Sequence, residues 1–299
     1  MIKNGIQTFK NCKKTYRNYF SVMLQLLLNF KKSYKEDNIP IKVVLKDGQE
    51  LKVPYGWVTR FAEVNTYKNK NISNISLTKD GISFHYKNHF VIIDPARFSD
   101  FRAVFFREEY SFLQVKDHDV IDIGMNMGDS AIYFALNGAK RVIGLEPYPY
   151  VFSYAEKNIK LNKLNNVILL NAGYGKDAKI LVDDKKISSI GSSLISSNSG
   201  KEIPIYSLKT LFQMYKINNA IVKMDCEGWE YALLEEDDET LKNIDMMQIE
   251  YHYGYSELVE KLKKAGFYVE YTDPIYYYDK DKEAENPKML LGYIYAKRI

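Results

Sequence analysis

Cysteine, proline and long apolar runs are all scarce in this 299-residue chain. The two cysteines, Cys12 and Cys226, are too few and too far apart for a disulfide framework, so a reducing, cytoplasmic setting is expected. Eight prolines and 16 glycines exclude a collagen-like fibre. The longest apolar stretch of the leader, FSVMLQLLLNF from Phe20 to Phe30, is about half the ~20 residues that span a bilayer, and Gln25 and Asn29 interrupt it. Lys31 and Lys32 follow at once and no small-residue cleavage site appears, so it does not read as a signal peptide. Acidic residues are missing altogether from Met1–Lys35, which holds eight Lys or Arg residues. Since the whole chain carries +4, everything after Lys35 sums to −4. A basic leader precedes a mildly acidic body.

The rest of the composition is ordinary. The chain is 46% hydrophobic and 27% charged, which supports a sizeable core and excludes bulk disorder. Its length corresponds to about two domains. The leader, residues 1–35, reads as a basic helix with an apolar face. Such a helix either packs on its own domain with solvated lysines, or docks peripherally on a membrane or a protein. Residues 36–100 read as a small β-rich region. Ile41–Leu45 and Leu51–Val53 flank Asp47-Gly48, Ile72–Leu77 and Ile82–Tyr86 flank Asp80-Gly81, and Phe90–Ile93 follows. His85 and His89 are spaced i,i+4, but in extended chain that puts them about 13 Å apart, so no metal pair is expected.

From residue 101 to 299 apolar runs alternate with helical segments, the signature of βαβ units on a parallel sheet. Strands are expected at Val120–Ile123, Val142–Leu145, Val167–Leu170, Ala220–Met224, Met247–Tyr251, Tyr268–Tyr271 and Leu290–Ala296. The fold class that follows is α/β: a doubly wound, seven-stranded, mostly parallel sheet with an antiparallel edge strand. The serine-rich stretch Ser188–Ser199 reads as a loop, either a lid or a linker.

The turn after the first strand is Asp122-Ile-Gly124-Met-Asn126-Met-Gly128-Asp129. Its glycines let backbone approach a ligand at a helix N-terminus. Glu146 ends the second strand 22 residues past Gly124, where a carboxylate accepts hydrogen bonds from both ribose hydroxyls. Together these favour a nucleoside cofactor. Asp122 and Asp129 flank the turn and would repel a pyrophosphate; they suit a ligand with an ammonium group and no phosphate, such as S-adenosylmethionine.

The run DIGMNMGDSAIYFALNGAKRVIGLEPYP resembles the opening motifs of FkbM-type S-adenosylmethionine-dependent methyltransferases. IPIYSLKTLF, VKMDCEGWEYALL and IEYH resemble that family's later motifs and occur in the right order. The second of these carries Lys223, Asp225, Glu227, Gly228 and Glu230. Cys226 and Trp229 depart from the family's small or aliphatic residues. The resemblance implies a Rossmann-like class I methyltransferase fold, S-adenosylmethionine as cofactor, and a hydroxyl acceptor on a small molecule, sugar or glycolipid. A hydroxyl needs its proton removed as the new bond forms, and His252, Asp225 and Glu250 are candidate bases near the ends of the fourth and fifth strands, with Lys223 beside them. Asp225 is equally a candidate for orienting the donor's amino group. The cofactor-binding candidates are Asp122, Gly124, Asn126, Gly128, Asp129, Glu146, Pro147, Asn171, Ala172 and Asp225, with Tyr148 as a cover for the adenine. No resident metal is expected. The alternatives are a tRNA or RNA methyltransferase, disfavoured by the acidic body and by the lack of an Asn-Pro-Pro-Tyr motif, and a non-catalytic scaffold docked through its leader.

Overall fold

The computed structural model describes residues 2–33, 36, 38–67, 69–95, 99–183, 198–277 and 289–298. Of the serine-rich stretch only Asn198 and Ser199 are among them. The chain divides into two compact units, Met1–Glu109 with Lys160–Lys163, and Tyr110–Ile159 with Leu164–Ile299.

The first unit opens with two helices rather than the one expected, α1 (Ile2–Thr15) and α2 (Tyr19–Ser33). The break falls where Tyr16 bridges to Leu45 and buries its hydroxyl on the Val58 carbonyl, 2.8 Å away. Next come β1 (Pro40–Val44) and β2 (Glu50–Pro54), antiparallel with Ile41 opposite Val53, then α3 (Tyr55–Val64). No helix was expected at α3, although Trp57, Val58, Phe61 and Ala62 recur at helical spacing and are all buried. A separate three-stranded meander follows: β3 (Ile72–Leu77), β4 (Ile82–Tyr86) and β5 (His89–Ile93). The expected single antiparallel layer is therefore two small sheets. His85 and His89 lie on neighbouring strands, not on one extended segment. His85 is opposite Phe90 and His89 opposite Tyr86, which puts the two imidazoles on opposite faces of the hairpin.

The second unit is built on β6 (Asp119–Ile123), α4 (Asp129–Leu136), β7 (Arg141–Leu145), α5 (Pro149–Leu161) and β8 (Val167–Leu170). A satellite sheet of β9 (Gly173–Tyr174), β10 (Ala178–Val182) and β11 (Lys201–Tyr206) follows, then α6 (Leu208–Tyr215), β12 (Ala220–Met224), α7 (Asp238–Leu241), β13 (Ile244–Tyr251), α8 (Ser256–Lys264), β14 (Phe267–Tyr271), β15 (Ile275–Tyr277) and β16 (Met289–Arg298). The main sheet runs β14-β16-β13-β12-β6-β7-β8, with β15 paired to β16. Pairing is parallel from β13 through β12, β6 and β7 to β8, and antiparallel only along β16, one place in from the edge. This is the doubly wound, mostly parallel sheet expected. Every residue of β6 and β12 is buried, as a sheet covered on both faces demands. The chain order reverses between β6 and β12, so a crevice opens beyond their carboxyl ends.

Arg298 locks the antiparallel strand in place. Its guanidinium donates to the carbonyls of Ile244, Leu241 and Ala265 and lies over the Phe267 ring, 4.4 Å from its centre. Arg298→Ala should therefore cost about 2–4 kcal/mol of stability, read as a lower urea midpoint at unchanged slope.

Candidate functional site

The turn leaving β6 is shaped by glycine. Gly124 has φ +71°, and a Cβ there would lie 1.8 Å from the Asp225 carbonyl oxygen, so only glycine lets the end of β12 pack against this turn. Gly124 and Met125 both donate backbone N–H groups to the Leu145 carbonyl at 3.0 and 2.9 Å, which ties the turn to β7. Asn126 follows at φ +52°, and Gly128, at φ +82°, caps α4. Asp129, buried, stands in the first turn of α4, where the helix dipole favours a carboxylate. The predicted cradle Gly124, Asn126, Gly128 and Asp129 is thus one continuous loop at a helix start.

Asp122 lies beneath that loop and is fully buried. Its carboxylate accepts the Ser130 hydroxyl at 2.6 Å and pairs with the Lys223 ammonium at 3.3 Å. Lys223 also donates to the Ile123 and Gly124 carbonyls, at 3.0 and 2.6 Å, and lies over the Tyr110 ring. Burial alone would depress the Lys223 ammonium, but Asp122 and Asp225 outweigh it and hold its pKa above the ordinary value. Lys223 was expected beside the catalytic groups; in the fold its ammonium faces Asp122 and the carbonyls of the turn, which it braces from below.

Glu146, at the end of β7, is buried and accepts the Tyr148 backbone N–H at 2.9 Å. Burial pushes its carboxyl up to about 8, against the lowering pull of that hydrogen bond, of Lys223 and of the Asn126 N–H. Pro147 is half-buried and Tyr148 buried beside it. Asn171 donates its side-chain amide to the Glu146 and Pro147 carbonyls at 2.9 and 3.0 Å, and receives the Lys201 ammonium at 2.8 Å. Its side chain clamps the ends of β7 and β8 together, and Ala172 is fully buried behind it.

On the other side of the crevice, Asp225, Cys226, Glu227, Gly228 and Trp229 leave β12 half-buried. Glu227 and Gly228 have φ of +56° and +102°, a tight left-handed bend. Glu230 is fully buried at its foot and accepts from the Gly228 N–H at 2.8 Å, the His252 N–H at 2.7 Å and the His252 ring Nδ1 at 3.1 Å. The other ring nitrogen, Nε2, is 3.0 Å from Glu227. Burial opposes charging this imidazole, but hydrogen bonds to Glu227 and Glu230 win and push its pKa up to about 11. The ordinary histidine pKa that marks His252 as a base is lost in this setting: it is an imidazolium that donates at both nitrogens. Glu250, half-buried on β13, pairs across to Tyr293 on β16. Burial raises the Cys226 thiol, which is no activated nucleophile. The Trp229 indole lies against Gly175, where an added Cβ would sit 3.5 Å from it.

Glu230 and Tyr110 have roles that sequence reasoning missed. Glu230 stands inside a recognised motif, yet its partner lies 22 residues on; Tyr110 meets its lysine only through the fold. Asp225, Glu227 and His252 offer ligand atoms within 4.8 Å of one another, the one such triplet among the described residues that could hold a metal ion.

Residues 122–269 match the Methyltransferase FkbM domain family. The chain carries an FkbM-type methyltransferase domain. Methyl transfer from S-adenosylmethionine goes with that domain class, and the nature of the acceptor does not. A putative protein N5-glutamine methyltransferase of Methanocaldococcus jannaschii is 38% identical over 55 residues, 18% of this chain and 28% of the relative. An uncharacterized protein, 158B, of Sulfolobus islandicus rod-shaped virus 1 is 51% identical over 41 residues, 14% of this chain and 26% of the relative. The matches thus span about a quarter of the length of these curated relatives. Among solved structures, M. jannaschii TYW2 in complex with AdoMet is 18% identical with a TM-score of 0.39, over 78% of this chain and 89% of that one. Likeness of that order says nothing about substrate. The family match over residues 122–269 is what identifies the FkbM domain.

Glu146 should leave a signature in stability. Its folded pKa is raised, so the folded state holds a proton that the unfolded state has released, and stability falls as pH rises from about 4.5 to about 8. Glu146→Gln removes this titration. The variant should gain on the parent across that window and hold a constant lead above it, measured by urea unfolding at several pH values.

Proposed function

We propose that this domain binds S-adenosylmethionine against the Gly124–Asp129 loop, with Glu146 on the ribose and the Pro147–Tyr148 corner beside the adenine, and passes its methyl group to a hydroxyl oxygen. Small molecules, sugars and glycolipids are the acceptor class. The observation that carries this reading is the meeting of Asp225, Glu227 and His252 at the carboxyl ends of two adjacent strands, next to the cofactor loop. The acceptor oxygen attacks the sulfonium methyl carbon, the carbon–sulfur bond breaks, and S-adenosylhomocysteine leaves uncharged. The hydroxyl proton goes to Asp225. Glu227, held by the His252 imidazolium, and Glu230 beneath it fix the bend that aims Asp225 and the acceptor. His252 is a positioning residue in this scheme. The Asn-Pro-Pro-Tyr motif that holds a base in amino-group nucleic-acid methylases has no counterpart after β12, where Met224-Asp-Cys-Glu-Gly228 stands.

Label from methyl-labelled donor, offered to sugar, lipid and RNA fractions of the host, should enter an alkali-stable ether. Label released as methanol by alkali would overturn the hydroxyl assignment, and label recovered in RNA would overturn the acceptor class. Asp225→Asn should lower kcat roughly 100-fold or more with S-adenosylhomocysteine affinity kept; affinity lost along with rate would assign Asp225 to the donor's amino group. The triplet within 4.8 Å supports a second reading, a divalent cation clamping the acceptor, which would have to displace the His252 proton. Transfer abolished by a chelator and restored by Mg²⁺ would select it. Because a carboxylate, not a carboxylic acid, accepts both ribose hydroxyls, S-adenosylhomocysteine affinity should rise with pH up to about 8 and then level off. Calorimetry at several pH values checks this, with Glu146→Gln expected flat and weaker.

A further inference from the structure

The second helix of the first unit is pinned on one side and bare on the other. Val22 and Leu26 are buried. Gln25 donates to the Lys42 carbonyl at 3.1 Å and accepts the Lys42 N–H at 3.0 Å, and Asn18 accepts the Val44 N–H at 2.8 Å. These two polar side chains complete the free edge of β1 as a neighbouring strand would. On the far side, Phe20 is 68% exposed, Leu24 57%, Leu27 71% and Leu28 76%. At ~100° per residue they fall within an arc of about 100°, and Lys31 ends the same face. Ile6 and Phe9 of α1 are exposed too, and Phe9 meets the Phe20 ring edge-on, so the ridge continues onto the first helix. A helix this firmly seated does not turn Leu24, Leu27 and Leu28 inward.

We propose that this ridge docks on an anionic phospholipid surface. Exposed Lys10, Lys13, Lys14, Arg17, Lys31 and Lys32 flank it, and no acidic residue occurs before Glu36. That charge complements acidic headgroups. It argues against a second copy as the occupant, since two such ridges would bring like charges together. The shape is a convex ridge with a basic border, which suits acyl chains and headgroups. At 15 residues α2 is about 22 Å long, too short for the ~30 Å hydrocarbon core, and among the described residues no helix is long and apolar enough to cross a membrane. The helix lies in the interface rather than through it.

The full chain should co-sediment with mixed phosphatidylcholine–phosphatidylglycerol vesicles, more weakly as salt rises, and stay in the supernatant with pure phosphatidylcholine. Replacing both Leu27 and Leu28 by Gln should weaken vesicle binding at least about tenfold. The double variant's melting temperature, and its rise with S-adenosylhomocysteine, should match the parent's, because both leucines are solvent-facing; that second readout also keeps a failed docking test separate from a failed donor assignment. Failure of the parent to bind anionic vesicles, or undiminished binding by the variant, would overturn the proposal. So would a concentration-dependent dimer seen by light scattering and lost in the variant, which would make a second copy the occupant.

Discussion

A lysine ammonium with 1% of its residue exposed is a costly thing to bury, and the turn at the end of β6 is arranged around the one at position 223. Asp122 neutralises it, and the carbonyls of Ile123 and Gly124 take its hydrogen bonds. Those carbonyls belong to the end of β6, while Lys223 belongs to β12. The same contact that satisfies the charge therefore fixes the two strands at the point where the chain order reverses. Gly124 must then let the Asp225 carbonyl pass at a distance no Cβ permits. Removing either charged partner would leave the other buried alone, so Lys223 and Asp122 are expected to change together or not at all.

The parts of this arrangement that are local in sequence could be read from it. Alternating and continuous apolar runs located all seven main strands, because burial on both faces leaves little choice of residue. The Asp122–Asp129 turn and Glu146 were legible because a loop between one strand and the next helix has a fixed spacing. What could not be read depends on contacts far apart in the chain. His252 looked like a base because its unperturbed pKa suits one; the fold sets it between Glu227 and Glu230, and that pair changes its charge state. Lys223 and Asp225 do alternate onto one side of the strand, but only the pairing with β6 decides that the lysine points under the loop. The missed α3 is a different case: its helical spacing was present between two hairpin signals and went unread.

The two sides of the crevice hold their protons in opposite senses. Glu146 is an acid kept neutral by burial, while His252 is a base kept charged by two carboxylates. An ionised, desolvated carboxylate at Glu146 would be costly, and a proton relieves it. The cationic imidazole does the reverse after β12, letting Glu227 and Glu230 stand close together at the bend without repelling each other. Preorganisation on both sides thus comes from where the protons sit as much as from where the atoms sit.

The basic leader follows another logic. Within the FkbM domain the charges that matter are inward and paired, and net charge says nothing about them. In α1 and α2 Lys10, Lys13, Lys14, Lys31 and Lys32 are outward and bordered by exposed leucine and phenylalanine, and Lys32 pairs with Glu36 just past the end of α2. Gln25 and Asn29 break the apolar run in sequence, yet Gln25 is what fastens the helix to β1 and so keeps Leu27 and Leu28 turned to the outside. A polar residue that rules out a membrane span is, in three dimensions, the one that presents an apolar face to an interface.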